Sequence, residues 1–77
     1  MEEVIEYRHL DYEVMIHKSQ HYAAMQWCDA QFGVRWQALV HRQGRWSIFW
    51  AGRDHYDKYR FCFALEQDML LFTLRWV

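Results

Sequence analysis

Two strand-like runs around a glycine-containing bend constrain the fold more than any other part of this 77-residue chain. Residues 34–41 and 45–51 are rich in aromatic and β-branched side chains, and Arg42-Gln43-Gly44 separates them. Alternation of apolar and polar side chains with period two is typical of strands that bury one face. The pattern therefore predicts a β-hairpin, and the length of its loop decides which side chains share a face.

Two registers are open to this hairpin. They place different side chains of the second strand on the same face as Trp36, Ala38 and Val40 of the first strand. A two-residue turn at Gln43-Gly44 would give it a mixed set of neighbours, namely Ser47, Phe49 and Ala51. A three-residue loop would give it an apolar set, namely Trp46, Ile48 and Trp50. We adopt the second register, because it collects one apolar face and puts Gly44 at the left-handed position that such loops require.

The remaining periodicities predict two more strands and two helices. Residues 11–18 alternate as a first strand with Tyr12, Val14 and Ile16 inward, and residues 59–64 alternate as a last strand with Tyr59, Phe61 and Phe63 on one side. Ser19 is the expected N-cap of a helix over 20–32, and Gly33 the left-handed residue that ends it. Residues 66–77 follow helix-favouring acids and are assigned to a second helix, with a strand as the alternative.

These elements predict one domain, residues 1–77, of the α+β class. We expect a small antiparallel sheet of three to four strands with one or two helices on one face, in the order β-α-β-β-β-α. The helix side is expected to bury Trp36, Trp46, Trp50, Phe61 and Phe63. The other face is expected to carry Leu39, His41, Phe49, Ala51 and Cys62 among arginines.

The composition indicates an interaction surface. Hydrophobic residues make up 53% of the chain, with five Trp, five Tyr and five Phe, which exceeds what one small core usually encloses. The surplus predicts a partner site or a homodimer contact. The net charge of −1 conceals an acidic N-terminal stretch over residues 1–13 and a basic stretch over residues 35–60.

The sequence offers little support for catalysis, a metal or a cofactor. His17 and His21 have ligand-like spacing, but nothing in the sequence completes a tetrahedral set. The three glycines are isolated and predict turns, and the loop containing Asp54, His55 and Asp57 is better explained as a solvated loop than as an acid–base group. We therefore expect no enzyme activity, no cofactor and no metal.

The expected compartment follows from the cysteines and from the hydropathy. Cys28 and Cys62 are lone cysteines in apolar settings, which favours buried thiols in a reducing cytoplasm. No apolar run reaches membrane-spanning length and the acidic N-terminus does not resemble a signal peptide, so no membrane association is expected.

The side chains most suited to a partner surface combine arginine with exposed aromatic residues, since Trp, Tyr and Arg dominate interface hot spots. The candidate partner-binding residues are Arg35, Arg45, Phe49, Arg53, His55, Tyr56, Arg60 and Trp76. A protein partner is the favoured interpretation. The alternative is a small single-stranded nucleic-acid-binding module, which the near-zero net charge disfavours.

A resemblance adds a biological setting. The segment that reads Trp27-Cys28, Phe32-Gly33, Arg35-Trp36, Gly44-x-Trp46, Phe49-Trp50 and Leu74-Arg75-Trp76 resembles small uncharacterised proteins encoded by bacteriophages, over about two-thirds of the chain. The resemblance assigns no functional residue. It implies an accessory protein of an infected bacterial cell that binds a host or phage protein as an inhibitor or adaptor.

Overall fold

Strand β3 occupies the centre of a three-stranded antiparallel sheet in the computed structural model, which describes residues 9–77. The elements are β1 (Tyr12–His17), α1 (His21–Phe32), β2 (Trp46–Trp50), β3 (Lys58–Phe63) and α2 (Glu66–Trp76). Short 3₁₀ turns, Lys18–Gln20 and Arg53–His55, precede α1 and β3. The spatial order is β1-β3-β2, so both outer strands pair with β3. The predicted α+β class and antiparallel sheet are confirmed.

Alternation along β3 divides the sheet into two faces. Phe61 and Phe63 point to the side where both helices pack, and they are fully buried with Trp46 of β2. Phe72 of α2 lies against this aromatic layer, with its ring 4.8 Å from that of Phe61. Ala24 and Cys28 of α1 complete the core together with Ile16 of β1. The burial of Ala24 and Cys28 agrees with the apolar stripe predicted for that helix.

The opposite face carries Glu13, Met15, Phe49, Arg60 and Cys62, as the register of β1 and β2 on β3 requires. Within residues 9–77 no helix packs on this face. Arg60 lies over the ring of Phe49, with its Cζ atom 5.9 Å from the ring centroid, and reaches Glu13 Oε2 at 3.4 Å. Phe49 and Arg60 therefore share the helix-free face, as predicted.

The hairpin predicted around Gly44 does not form. Residues 34–44 follow an irregular path that contains one isolated bridge, Gln37 to His41, and Ala38 and Val40 are exposed rather than inward. The loop meets β2 through the Trp36 N–H, which donates to the Trp46 carbonyl at 2.7 Å. The antiparallel pairing of β2 with the next strand, β3, supplies the ladder that the predicted hairpin would have supplied.

The role expected of Gly44 is also wrong. Within residues 9–77 the glycines with positive φ are Gly33 and Gly52, not Gly44. A Cβ atom on Gly44 would overlap the backbone of Trp36 and Arg35, so glycine is needed here for close approach of two chain segments. Leu39 and His41, expected on the mixed sheet face, lie in this loop outside the sheet.

The helix ends confirm some predictions and correct others. Ser19 is not the N-cap of α1, because it lies inside the 3₁₀ turn and Gln20 holds the N-cap position without a side-chain hydrogen bond. Gly33 ends α1 as expected, but its φ of 87° and ψ of −163° define an extended glycine conformation rather than the left-handed helical one. The second helix is confirmed, with Glu66 and Asp68 in its first turn, and the strand alternative is wrong.

Candidate interaction surface

One end of the sheet gathers the end of β1, the end of β2 and the start of β3. His17 pairs with Lys58, and Trp50 pairs with Tyr59. The loop between β2 and β3 is tied to β1 by the Lys18 N–H, which donates to the Asp57 carbonyl at 2.7 Å. This end of the molecule is therefore a braced structure in which the first turn of α1 and the β2–β3 loop lie side by side.

Five aromatic residues lie at this end, and we call them the aromatic platform: His21, Tyr22, Trp50, Tyr56 and Tyr59. The ring of His21 stacks on that of Tyr59, with centroids 4.2 Å apart and planes 14° from parallel. Tyr22 lies next to His21, also at 4.2 Å. Trp50 is the cross-strand neighbour of Tyr59, and its Nε1–H donates to the Tyr56 carbonyl at 3.1 Å. These contacts connect all five residues, Tyr56 through its backbone carbonyl.

The platform is exposed as well as connected. Tyr22 is 73% exposed, Tyr56 71% and Trp50 52%, whereas His21 and Tyr59 are half-buried beneath them. Trp50 was expected in the core, and this prediction is wrong because α1 and α2 cover Trp46 and Phe61 but not the last residue of β2. A group of exposed aromatic rings held by a sheet is typical of a binding surface.

The local backbone explains how the β2–β3 loop presents Tyr56. Gly52 has a φ of 92° and a ψ of −174°, a region that is essentially restricted to glycine. Its carbonyl accepts the His55 N–H at 3.1 Å, which closes the 3₁₀ turn Arg53–His55. The chain then turns at Tyr56 and Asp57 into β3. Gly52 thereby sets the position of the exposed Arg53, His55 and Tyr56.

A serine, a histidine and an aspartate also meet at this end of the sheet. His17 Nδ1 lies 2.9 Å from Ser19 Oγ, and His17 Nε2 lies 3.7 Å from Asp57 Oδ2. The same Nδ1 accepts the Ser19 backbone N–H at 3.1 Å, so the imidazole caps the 3₁₀ turn. The contact with Ser19 is thus local and exposed, and the geometry is that of a side-chain cap braced by Asp57.

The eight predicted partner-binding residues do not form one surface. Tyr56 belongs to the platform, Arg53 and His55 lie in the same loop as Tyr56, and Phe49 and Arg60 lie on the helix-free face. Three others lie elsewhere, and for these the prediction of a shared sheet face is wrong. They are Arg35, which lines an open cleft beside Met25 and Asp29, Arg45, which contacts Asp68 and Phe32, and Trp76, which packs on Trp27 and Phe72.

Sequence reasoning missed His21, Tyr22, Trp50 and Tyr59 as surface residues. The signal that could have found them is the alternation of β2 and β3, which pairs Trp50 with Tyr59 at the strand end. A strand's last residue lies beyond the centre of the sheet, where the helices give the most cover. Tyr22 carries no such signal, because it joins the platform only through its neighbour His21.

A second exposed apolar surface lies on the outer side of α2. Its members are Leu70, Leu71, Leu74 and Val77, of which Leu74 is 84% exposed. The spacing of Leu70, Leu74 and Val77 puts them on the side of the helix opposite the core residue Phe72. The members of this aliphatic stripe carry no aromatic rings, so the stripe is a suitable control surface for the platform.

The two cysteines and the candidate metal ligands are the other groups whose reactivity matters among the described residues. Burial raises the pKa of Cys28 to about 12 and that of Cys62 to about 11, assisted by Asp29 and Glu13 respectively. Within residues 9–77 no group of His, Cys, Asp and Glu could hold a metal ion. In the same part of the chain, no helix combines the length and apolarity needed to cross a bilayer.

No protein family, curated protein or solved structure matches the chain.

Proposed function

We propose that this chain is a non-enzymatic binding protein that holds a protein partner against the aromatic platform. The observation that carries the proposal is the exposure of Tyr22, Trp50 and Tyr56 at a braced end of the sheet. Rings of this kind bury large areas when a partner covers them, and Trp and Tyr are enriched among residues that dominate binding energy.

The platform is organised before binding, which favours affinity. Stacking of His21 on Tyr59 fixes the rings beneath the surface, and the indole hydrogen bond to the Tyr56 carbonyl fixes Trp50 against the loop. A partner then removes little entropy from the side chains of His21, Trp50 and Tyr59, a cost that reaches about 0.5–1.5 kcal/mol for each flexible side chain ordered on binding. Tyr and Trp also have only two χ angles each, which keeps this cost low.

Charged residues border the platform and supply the rim that such interfaces usually have. Arg53 and His55 are exposed in the same loop as Tyr56, and Lys18 follows β1 at the same end. Phe49 and Arg60 lie next to Trp50 and Tyr59 in the strands but on the other face of the sheet. We propose that the partner covers the platform first and that Arg53 and His55 orient it.

The resemblance to small phage proteins gives this proposal its setting. It would make the partner a protein of the host or the phage, and the chain an inhibitor or adaptor in the host cytoplasm. Cys28 and Cys62 are both free and buried, which is compatible with a reducing compartment.

Affinity capture from a bacterial lysate, with quantification of each captured protein, tests the proposal. We expect Tyr22→Ala and Tyr56→Ala each to weaken capture of the same partner about 30-fold, the factor that corresponds to a hot spot of about 2 kcal/mol. Leu74→Ala, on the aliphatic stripe of α2, is the matched control and should leave capture unchanged. Loss of capture by Leu74→Ala alone would move the interface to α2 and refute the platform.

A second function, binding of single-stranded nucleic acid, is favoured by one feature of the same surface. Stacked and exposed rings beside Lys18 and Arg53 are the elements that single-strand binders use to stack bases and neutralise phosphates. The net charge of −1 opposes it. Titration of a labelled single-stranded oligonucleotide at low salt separates the two functions, since binding lost in Tyr22→Ala would favour nucleic acid and no binding would exclude it.

A further inference from the structure

The outer edge of β1 is the least protected backbone edge in the described part of the chain. β1 pairs with β3 on its inner side, and no strand of residues 9–77 pairs with its outer side. The other edge strand, β2, is partly covered, because Trp36 donates its N–H to the Trp46 carbonyl and accepts the Ser47 hydroxyl at 2.9 Å. The edge of β2 is therefore partly covered by the preceding loop, whereas no strand of residues 9–77 covers the edge of β1.

The sequence of β1 lacks three of the usual devices that prevent edge-to-edge pairing, namely lysine, proline and a bulge. Its six residues, Tyr-Glu-Val-Met-Ile-His, include no lysine and no proline, and all six pair with β3 in one continuous register without a bulge. Natural edge strands are generally shortened, bulged or charged, since an open ladder of N–H and C=O groups recruits another strand. Within residues 9–77, the outer edge of β1 is therefore a template on which another strand can pair.

We propose that β1 pairs antiparallel with β1 of a second copy of this chain, in the register that places Met15 opposite Met15 of the second copy. The two sheets then form one six-stranded sheet with the helices of both copies on the same side. The occupant of the edge is thus a second copy of the chain.

The side chains of β1 select this register. Residues that pair in an antiparallel ladder point to the same face, so each register that keeps the helices on one side pairs helix-side residues with each other. With Met15 opposite Met15, Val14 lies opposite Ile16, and Glu13 lies opposite His17. The pairing is apolar on the helix side and joins a carboxylate to an imidazole at both ends of the other face.

The neighbouring registers are less complementary. Pairing Val14 with Val14 sets Glu13 opposite Met15, which leaves a carboxylate against a thioether. Pairing Ile16 with Ile16 sets Met15 opposite His17 and leaves Glu13 outside the paired region. The central register is therefore the one that sets a carboxylate opposite an imidazole and apolar side chains opposite apolar side chains.

The environment of the two polar residues supports this match. Glu13 lies near Arg60 at 3.4 Å, and His17 lies 3.7 Å from Asp57. Both are exposed by about half of their side-chain surface, so each can add a partner across the new strand pair. The contact buries little area beyond one strand pair, so we expect a weak dimer that forms with increasing concentration.

Disulfide trapping tests the register directly, in a Cys62→Ala background because Cys62 lies opposite Glu13 and could capture a cysteine placed there. In the proposed register, Met15→Cys brings two cysteines to a Cα separation of about 4.5–5.5 Å, within the range of about 4.4–6.8 Å that disulfides span. We expect a covalent dimer under mild oxidation. Cys28 remains as a buried thiol and should not react.

The controls use the same strand. Glu13→Cys and His17→Cys alone should not form dimers, since four residues of offset separate like positions by about 13 Å along the strand. An equimolar mixture of these two variants should form the mixed disulfide. A dimer from Glu13→Cys alone that is as abundant as that from Met15→Cys, or none from Met15→Cys, would overturn the proposed register.

Sedimentation equilibrium on the full chain tests the association itself. Met15→Lys places two positive charges opposite each other at the centre of the pairing, and we expect it to raise the dimer Kd at least about tenfold. Met15→Leu keeps an apolar side chain of similar volume and should leave the Kd within about twofold. A chain that stays monomeric at all concentrations would refute the dimer. This result would leave the proposed binding function of the platform unaffected, because Met15 is not part of the platform.

Discussion

The guanidinium group of Arg45 meets the buried carboxylate of Asp68 in the first turn of α2, with Nε and Oδ2 2.9 Å apart. Asp68 is 4% exposed, and neither of these two atoms has a hydrogen-bond partner, because the ion pair lies outside hydrogen-bond geometry. Burial raises the pKa of Asp68 above its ordinary value of 3.8, and Arg45 only partly opposes this effect. The pair therefore connects the start of β2 to α2 without fully compensating a buried charge.

Replacing Asp68 with asparagine should change the pH dependence of stability. Because the folded chain keeps the Asp68 proton at a pH where the unfolded chain has released it, the free energy of unfolding falls as pH rises from 3.8 through the raised pKa. Asp68→Asn removes this term. Urea unfolding at several pH values should show the variant gaining on the wild type as pH rises toward neutrality, and a constant difference would contradict the assignment.

Replacing Arg45 with methionine should lower the free energy of unfolding at neutral pH. The variant keeps the stem that packs near Phe32 but leaves the Asp68 carboxylate without its cation. Since the guanidinium is partly exposed, we expect a loss of about 1 kcal/mol in the free energy of unfolding at pH 7. The loss should shrink below the ordinary pKa of Asp68, where the carboxyl group is protonated in both states, and equal losses at both pH values would argue for packing alone.

Gly44→Ala should release the loop formed by residues 34–44. The new methyl group would overlap the backbone of Trp36 and break its hydrogen bond to the Trp46 carbonyl. Hydrogen exchange should show the Trp36 amide losing protection. Gly33→Ala is the matched control, because its Cβ would meet open space and its cost of about 1–3 kcal/mol arises from backbone conformation, with the Trp36 amide still protected.

Two side chains on α2 separate packing from surface effects. Phe72 is fully buried against Phe61 and Phe63, with ring centroids 4.8 and 5.2 Å away, so Phe72→Ala should cost about 3–5 kcal/mol, as cavities in aromatic cores do. Phe72→Leu should cost less and keep the chain folded for measurement. Leu74→Ala should change the free energy of unfolding by less than about 0.5 kcal/mol, and a larger loss would mean that the aliphatic stripe is covered in solution.

Both native thiols should resist modification in the folded chain. With the pKa of Cys28 near 12 and that of Cys62 near 11, thiolate is scarce at neutral pH, and both side chains are buried. Reaction with a thiol-specific disulfide reagent should therefore follow unfolding in rate and in denaturant dependence. Fast reaction of either thiol under native conditions would show that its site opens locally.

Much of the sheet could be predicted from alternation alone. The inward set of β1 (Val14 and Ile16), the apolar face of β2 and the buried pair Phe61 and Phe63 all follow from period-two patterns on strands that bury one side. The helix over 66–76 followed from its leading acids. These features are local, so the sequence specifies them directly.

The loop of residues 34–44 could not be predicted in the same way. Its aromatic and β-branched residues have strand propensity, but β2 pairs with β3, whose position depends on contacts distant in sequence. Gly44 was assigned to a turn because glycine more often serves turns than close contacts. The platform was missed for a related reason, since its rings come from β2, β3, α1 and the loop and meet only in the folded chain. The acidic residues Glu2, Glu3 and Glu6 lie outside the described residues.

The central place of β3 has a consequence for biosynthesis. A ribosome completes Tyr12–His17 and Trp46–Trp50 before it has made the strand that both of them need. The nascent chain must therefore carry two unpaired strand segments until Lys58–Phe63 emerges, and the sheet cannot form before that strand has been made. Truncations that stop before Phe63 should consequently be captured by holdase chaperones rather than accumulate as folded fragments.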